Sequence, residues 1–516
     1  MDFMENLKNT LGEEFNVSVT EKGAVGYRTT GKALLDINFA ITSLRREPEA
    51  AIAQRFEKVF FENKLYAVLW LFYAGDVRGG IGERRLFRIG LKYLAEHEPE
   101  IAVKLLPLVA EYTRWDNLLP LLKTDLKDEA CKILKEQLSK DMEKMNKGEA
   151  ISLCAKWMPS VNTSSSTAKL YAKILIKAWG ITERQYRKML AALRAYTNVV
   201  EVRMSRGDWE GIDYEAVPSR ANHIYGNAFK RNDERRRNEF LEKVKKGEAK
   251  IHADTLFPHD IVHDYFSSNG WRITLKRENL TTEELWKALP DFVKGAGNTI
   301  CVSDSSGSMT SKISNTQISA LEVAIALSIY FAERSSGQYK NQYITFSERP
   351  QLVDFSHAKS LRDKIGVALS RSEVANTNIE AVFKLILRTA IQNRLSQDEM
   401  PSNILILSDM EFDACATSSS YGWSRTAGFQ KLFAVIGEEY ERYGYKLPRL
   451  VFWNLCSRTG TIPVKENALG VALVSGFSPA VMNMVLSGKL DPLECLLDQI
   501  TAKRYQPVQD AIKELV

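Results

Sequence analysis

Asp304, Ser306 and Ser308 occupy alternate positions in the stretch NTICVSDSSGSM, which runs from Asn298 to Met309. One carboxylate and two hydroxyls at this spacing put three hard oxygen donors on one side of a loop. Two more oxygen-bearing side chains follow far downstream. Thr377 lies in Asn376-Thr377-Asn378, and Asp409 closes the apolar run Ile404-Leu405-Ile406-Leu407-Ser408. Hard oxygens suit Mg²⁺, which takes octahedral geometry and keeps several of its waters. The chemistry suggested by Asp304, Ser306, Ser308, Thr377 and Asp409 is therefore the holding of Mg²⁺ or another divalent cation. The alternative is that Asp304 and its serines only cap the turn or the helix that follows.

Such a site needs elements that bring distant residues to one rim. From about residue 291 strand-like apolar runs alternate with amphipathic helices. Strands are expected at 299–302, 342–346, 352–355, 404–407, 449–455 and 470–474, and helices at 317–334, 359–370, 379–395, 428–443 and 492–504. This alternation argues for an open, mostly parallel, doubly wound sheet covered on both faces. In such sheets ligands sit beyond the carboxyl ends of the strands, where strand order reverses. Asp304 and Asp409 each fall just past a strand end, so spacing and fold agree.

The residues before 290 read as helices. Pairs of amphipathic helices with short polar joints suggest an array of helical repeats, although no clean period is visible. The expected division is an all-helical domain over 1–290 and an α/β domain with C-terminal helices over 291–516. A glycine-rich loop, Gly75 to Arg85, opens a helix at Leu86. It has no Gly-Lys-Ser/Thr ending, so a nucleotide-binding loop is disfavoured and an ion network that fixes the loop is the simpler reading. His252, His259 and His263 match no zinc spacing, and capping and packing are expected of them.

The net charge of +6 is concentrated. Between Arg184 and Lys250 there are 16 Lys plus Arg against 10 Asp plus Glu, a surplus equal to that of the whole chain. A concentrated basic segment points to an anionic partner such as RNA. The candidate contacts are Arg184, Arg187, Lys188, Arg203, Arg206, Lys230, Arg231, Arg235 and Arg236. Tyr186, Tyr196, Trp209, Tyr214 and Tyr225 are interleaved and could stack on unpaired bases. The alternative is a solvated helix face laced with ion pairs, with the aromatics in the core.

The remaining chemistry narrows the class. The chain of 516 residues is too long for one core. It has no apolar run of membrane-spanning length, so no membrane partner is expected. The amino terminus, MDFMENLKNTLGEEF, does not read as a secretory signal. Six scattered cysteines with no paired spacing fit buried free thiols in the reducing cytoplasm. No nucleophile–base pairing, HExxH or nucleotide loop is visible, so the expectation is a binding protein rather than an enzyme.

The Asp-x-Ser-x-Ser turn with its distant Thr and Asp resembles the metal-ion-dependent adhesion site of von Willebrand factor A domains. The resemblance covers about 295–480 and implies that Ser306 and Ser308 ligate the metal directly and Thr377 directly or through water. It implies that Asp304 and Asp409 ligate directly or hold metal-bound waters. Met410 departs from the pattern, since many such domains carry Gly there. Helices followed by an A domain resemble the layout of the TROVE family, the Ro autoantigen relatives. That resemblance implies a HEAT-like helical ring binding small noncoding or structured RNA, and an A domain that captures a protein partner through its metal. The stretches EKGAVGYRTTG, GDVRGGIGERRLFR, RWDNLL, KWMPS and PHDIV also resemble an uncharacterised family with this layout. No RNA-contacting residue carries over from the Ro relatives by position.

Overall fold

The structure is a computed structural model that describes residues 15–197, 199–269, 272–294, 297–313, 316–346, 349–372, 379–412, 429–463, 471–478, 481 and 491–516. The chain forms two compact units. One comprises residues 1–48 and 256–500 and is built on a sheet. The other comprises 49–255 and 501–516 and is helical.

The sheet unit holds all the described strands. β1 (Ser18–Val19) and β2 (Val25–Gly26) pair antiparallel, as do β3 (Phe266–Asn269) and β4 (Arg272–Leu275). β5 (Thr299–Asp304), β6 (Gln342–Phe346), β7 (Leu352–Asp354), β8 (Asn403–Ser408), β9 (Arg449–Asn454) and β10 (Val471–Ser475) form one sheet, in the order β10-β9-β8-β5-β6-β7. Neighbours pair in parallel except β6 and β7. The reason is legible in the residues. TICVSD, VALVS and RLVFWN are buried along their whole length, as strands covered on both faces must be. β7 reads Leu-Val-Asp with only Val353 buried, the pattern of an edge. From β5 the chain proceeds to β6 on one side and later returns as β8 on the other. Strand order therefore reverses between β5 and β8.

The helix Ala320–Arg334 is buried from Ala320 to Ala332. A helix apolar all round needs cover on more than one side. It lies on β5 and β6 and beneath the short helix Pro258–His263. Ser319 and Glu322 close its amino end as a capping box, and each buried Leu, Ile or Phe side chain stabilises the layer by about 1.5–3 kcal/mol.

The first described residues belong to this unit. Tyr27 exchanges backbone hydrogen bonds with Ile462, and Asn454 Nδ2 donates to Phe39 O at 2.9 Å. Thr20 Oγ1 donates to Phe412 O at 2.6 Å. A division at 290 thus runs differently from the units: residues 15–48 lie with the sheet, and residues 501–516 with the helices. The hairpin β3–β4 interrupts what reads as helical sequence. Four-residue strands are too short to show period-two alternation.

In the helical unit, Lys64–Gly75 is buried from Ala67 onward and packs between Glu49–Glu62 and Arg84–His97. The helices Lys127–Asn146, Ser166–Trp179, Glu183–Tyr196, Ser219–Asn232 and Glu234–Lys246 follow. Pro120 sits in a 3₁₀ segment, Trp115–Lys123, between α-helices. The expected helix over 492–504 stops at Ile500, and Gln506–Ile512 forms a separate helix. The glycine-rich loop is fixed by an ion pair and not by a network among Asp76, Arg78, Glu83 and Arg84 within the loop: the counter-charge of Asp76 comes from Arg504, and Arg84 pairs with Asp116. Asp76 is fully buried and accepts from both Nε and Nη2 of Arg504, from the Tyr505 hydroxyl and from Arg78 N. A Cβ at Gly80 would collide with the carbonyl oxygen of Tyr73. Among the described residues no helix is long and apolar enough to cross a membrane.

Candidate functional site

Asp304 ends β5; Ser306 immediately precedes the 3₁₀ turn Gly307–Thr310, and Ser308 lies on it. Asp409 follows β8. Because β5 and β8 are adjacent and parallel, four of the five expected oxygen ligands come to one rim at the switch point. Thr377 lies outside the described residues.

Asp304 is fully buried, and both of its carboxylate oxygens are engaged. Oδ1 accepts from Ser306 N at 2.8 Å, and Oδ2 accepts from the Ser408 hydroxyl at 2.7 Å. The Ser306 and Ser308 hydroxyl oxygens are 2.9 Å apart. Asp409 is 1% exposed, and its Oδ1 accepts from Glu411 N at 3.2 Å. Its Oδ2 is buried with no hydrogen-bond partner among the described residues, and Nη2 of Arg458 stands 3.4 Å away. Burial holds the Asp304 carboxyl above its ordinary range, opposed by hydrogen bonds from Ser408 and Ser306 and by the charge of Lys22. Burial, and then the charge of Asp304, raise Asp409, opposed by Ser308 and Arg458. Two buried acids that resist ionising beside each other, two adjacent hydroxyls and a carboxylate oxygen faced by the Arg458 guanidinium form a donor set that fits a small divalent cation. No group of three or more His, Cys, Asp or Glu side chains among the described residues is placed to hold a metal.

Met410 has φ +61°, the left-handed region that glycine adopts freely. The turn after β8 therefore keeps the backbone shape for which Gly is the usual choice, with a buried methionine side chain in its place.

Sequence reasoning missed the layer behind the site. Glu411 is fully buried and accepts from the backbone amides of Glu21, Arg458 and Thr459, at 3.0, 2.7 and 2.9 Å. Arg458 Nε donates to Glu21 Oε1 at 2.8 Å, while its Nη2 faces Asp409. The residues at β1–β2 thus brace the loops after β8 and β9. The available signal was a second acid, Glu411, two positions past Asp409 in an otherwise apolar run.

The basic candidates divide. Arg184, Arg187, Lys188, Arg206, Lys230, Arg231 and Arg235 are exposed on helix surfaces or ends, and Arg235 pairs loosely with Glu239 at 3.6 Å. Arg203 is engaged by Asp208 at 2.6 Å. Arg236 acts as a tether, donating to the carbonyls of Trp209 and Ile212 at 2.8 Å each and pairing with Asp233 at 2.9 Å. Tyr186 and Tyr214 are core residues. The three histidines have separate partners: His252 faces Asp254, His263 faces Glu322, and His259 packs between Phe257 and Phe477.

The chain is 30% identical to "Uncharacterized protein L728" of Acanthamoeba polyphaga mimivirus, an alignment covering 96% of this chain and 89% of that protein. The chain belongs to that protein's family. Residues 298–510 match the model of a Domain of unknown function (DUF7788), and residues 124–298 match a Domain of unknown function (DUF2828). The two matches meet just before β5. Among solved structures, the chain is similar to the Deinococcus radiodurans RO (RSR) protein at 15% identity and a TM-score of 0.39, covering 87% of this chain and 93% of that one.

Proposed function

We propose that this family member is a binding scaffold with two activities: its helical unit holds RNA, and its sheet unit captures a protein partner through a divalent cation. On this reading the sheet unit is a von Willebrand A-like domain. The observation that carries it is the convergence of Asp304, Ser306, Ser308 and Asp409 at the switch point, with a buried Asp409 oxygen that has no hydrogen-bond partner among the described residues and only the Arg458 charge facing it. Ser306, Ser308 and Asp409 would hold Mg²⁺, and Asp304 would position Ser306 through its amide. A bound Mg²⁺ would supply an oxygen-seeking coordination position, which a partner's Asp or Glu completes.

RNA binding is supported by the exposed cations on and around Glu183–Tyr196, Ser219–Asn232 and Glu234–Lys246. Phosphate contacts of this kind release counterions, so affinity for small noncoding or structured RNA falls steeply with salt. The reading includes no catalytic step. The five described cysteines are free and buried, which suits a reducing compartment such as the cytoplasm.

Calorimetric titration of the full chain with MgCl₂ tests the cation site. Wild-type protein is expected to bind with a stoichiometry near one, and Asp409→Ala to bind no Mg²⁺ while retaining the wild-type circular dichroism spectrum. Equal binding by the two proteins overturns the site. Retention of labelled RNA in an anisotropy titration, lost as salt rises, tests the other half; no binding at low salt overturns it.

A further inference from the structure

Three stretches singled out in the sequence meet at one place in the helical unit. GDVRGGIGERRLFR supplies Arg84 and Arg88, RWDNLL supplies Arg114, Asp116 and Asn117, and KWMPS supplies Trp157. Arg84 and Arg88 lie one turn apart on the helix Arg84–His97, so both guanidiniums project from one face. They reach the same carboxylate: Arg84 Nη2 and Arg88 Nη2 stand 2.8 and 2.9 Å from Asp116 Oδ2. Arg114 Nε approaches Asp116 Oδ1 at 3.4 Å.

Among the described residues the ion pairs of Arg84, Arg88 and Arg114 all fall on the single Asp116 carboxylate, three positive charges on one negative. Fastening the helix Arg84–His97 to Trp115–Lys123 needs one of these pairs and not three. The Asp116 side chain is 12% exposed, whereas those of Arg84, Arg88 and Arg114 are 44%, 30% and 31% exposed. The anion is therefore interior and the cations face outward. Asn117 is 1% exposed; its Oδ1 accepts from Arg88 Nε at 2.7 Å, and its Nδ2 has no hydrogen-bond partner among the described residues. A buried amide donor left over beside surplus guanidiniums is independent of the charge count, and it too calls for an acceptor.

The aromatic part adjoins. The Arg114 guanidinium lies over the half-buried Trp157 ring, 4.1 Å from its centroid. Arg88 also acts electrostatically on the half-buried Tyr171, whose ring carries the Lys123 ammonium at 5.6 Å. Cations and aromatic rings alternate along this surface, which is how single-stranded RNA is held: phosphate on the cations, unpaired base on a flat face.

We propose that Arg84, Arg88, Arg114 and Trp157 form a site for a phosphate and an adjoining unpaired base of single-stranded RNA. The phosphate bridges Arg84 and Arg88 above Asp116. The base stacks on the Arg114–Trp157 pair and extends it by one layer. This deepens the RNA-binding reading and rests on it. It also places the contact outside the basic window of 184–250.

The test is fluorescence anisotropy of a fluorescein-labelled oligouridylate single strand against the full chain over a range of salt. Trp157→Leu is expected to weaken binding roughly tenfold, as removal of one stacking platform does. Arg84→Gln with Arg114→Gln is expected to weaken it further and to flatten the log–log salt slope by about 0.7 for each phosphate no longer held. Arg88 still holds Asp116 in that double variant. If the double variant does not fold, Trp157→Leu and Arg84→Gln alone carry the test. Lys58→Gln with Lys104→Gln removes equal charge from exposed positions of the same unit and is expected to bind as wild type. Wild-type binding that the site variants leave unchanged overturns the site while RNA binding stands. Absence of wild-type binding at low salt overturns both. Displacement by polyglutamate as effective as by unlabelled oligouridylate also overturns the site, because polyglutamate offers anions but no bases.

Discussion

The Ser408 hydroxyl donates to Asp304 Oδ2 at 2.7 Å, joining the ends of β8 and β5 where strand order reverses. The Ser408 oxygen also accepts from Met410 N at 3.0 Å, so one side chain sets both the rotamer of Asp304 and the left-handed turn that carries Asp409. Ser408→Ala leaves a buried carboxylate oxygen and a buried amide without partners. An unsatisfied buried group costs about 1–3 kcal/mol, more when it is charged. Urea denaturation is expected to show a loss of at least about 2 kcal/mol for Ser408→Ala. Its Mg²⁺ affinity is expected to fall as well, because Asp304 no longer holds Ser306 in one orientation.

Ionisation of Asp409 gives the sheet unit a pH dependence with a definite sign. Its carboxyl is raised to about 6, by burial first and by Asp304 second. A raised acid favours the folded state while protonated. That contribution is complete below the ordinary carboxylate range and is lost as pH rises through about 6. Without a cation, Tm is expected to fall between about pH 5 and pH 7.5, and Mg²⁺ to raise it more at the upper value. Asp409→Asn is expected to flatten the metal-free profile and to remove the Mg²⁺ shift. Differential scanning calorimetry at both pH values, with and without MgCl₂, checks all three outcomes.

How much of this was legible follows from the range of each interaction. Unbroken apolar runs such as Ile404–Leu407 announce buried strands, and an acid at the end of such a run announces a rim. The placement of Asp304 and Asp409 at neighbouring strand ends was readable for that reason. Glu411 was not, because its partners Glu21 and Thr459 are brought to it by pairings between opposite ends of the chain. Charge runs were the weakest guide. Arg235, Arg236 and Arg237 are consecutive, yet one is exposed, one is hydrogen-bonded to two carbonyls, and one is buried among Tyr214, Phe229 and Phe240. Helical phase separates them, and composition does not carry phase.

Arg237 yields a prediction of its own. It is fully buried; its side chain makes a single hydrogen bond among the described residues, to Asn222 Oδ1 at 3.0 Å, and has three rings around it. Burial lowers its pKa to about 10. Cation–π contacts offset only part of the desolvation of a guanidinium. Arg237→Met keeps the length and the apolar stem and removes the buried charge. It is expected to leave stability unchanged or raised by about 1 kcal/mol, as apolar replacements of buried charges do. Arg237→Ala opens a cavity among the rings and is expected to cost about 2–4 kcal/mol. Thermal melts of the two variants separate these outcomes.

The carboxyl-terminal residues are expected to behave as part of the helical unit. Asp76 is fully buried and receives both Nε and Nη2 of Arg504 together with the Tyr505 hydroxyl. Tyr505 in turn stacks on Tyr112 at 5.6 Å, and Tyr112 donates to Arg504 O at 2.6 Å. Removing one partner of a buried ion pair strands the other charge, at roughly 3–5 kcal/mol. Arg504 is partly exposed, so Arg504→Met is expected at the lower end of that range. Adding Asp76→Asn removes the stranded charge and is expected to recover part of the stability. The double variant therefore melts above Arg504→Met and below wild type. Truncation after Ile500 removes the rings as well and is expected to lower the melting temperature more than either substitution, read by calorimetry. A truncated chain that melts as wild type would mean that Asp76 finds its counter-charge elsewhere.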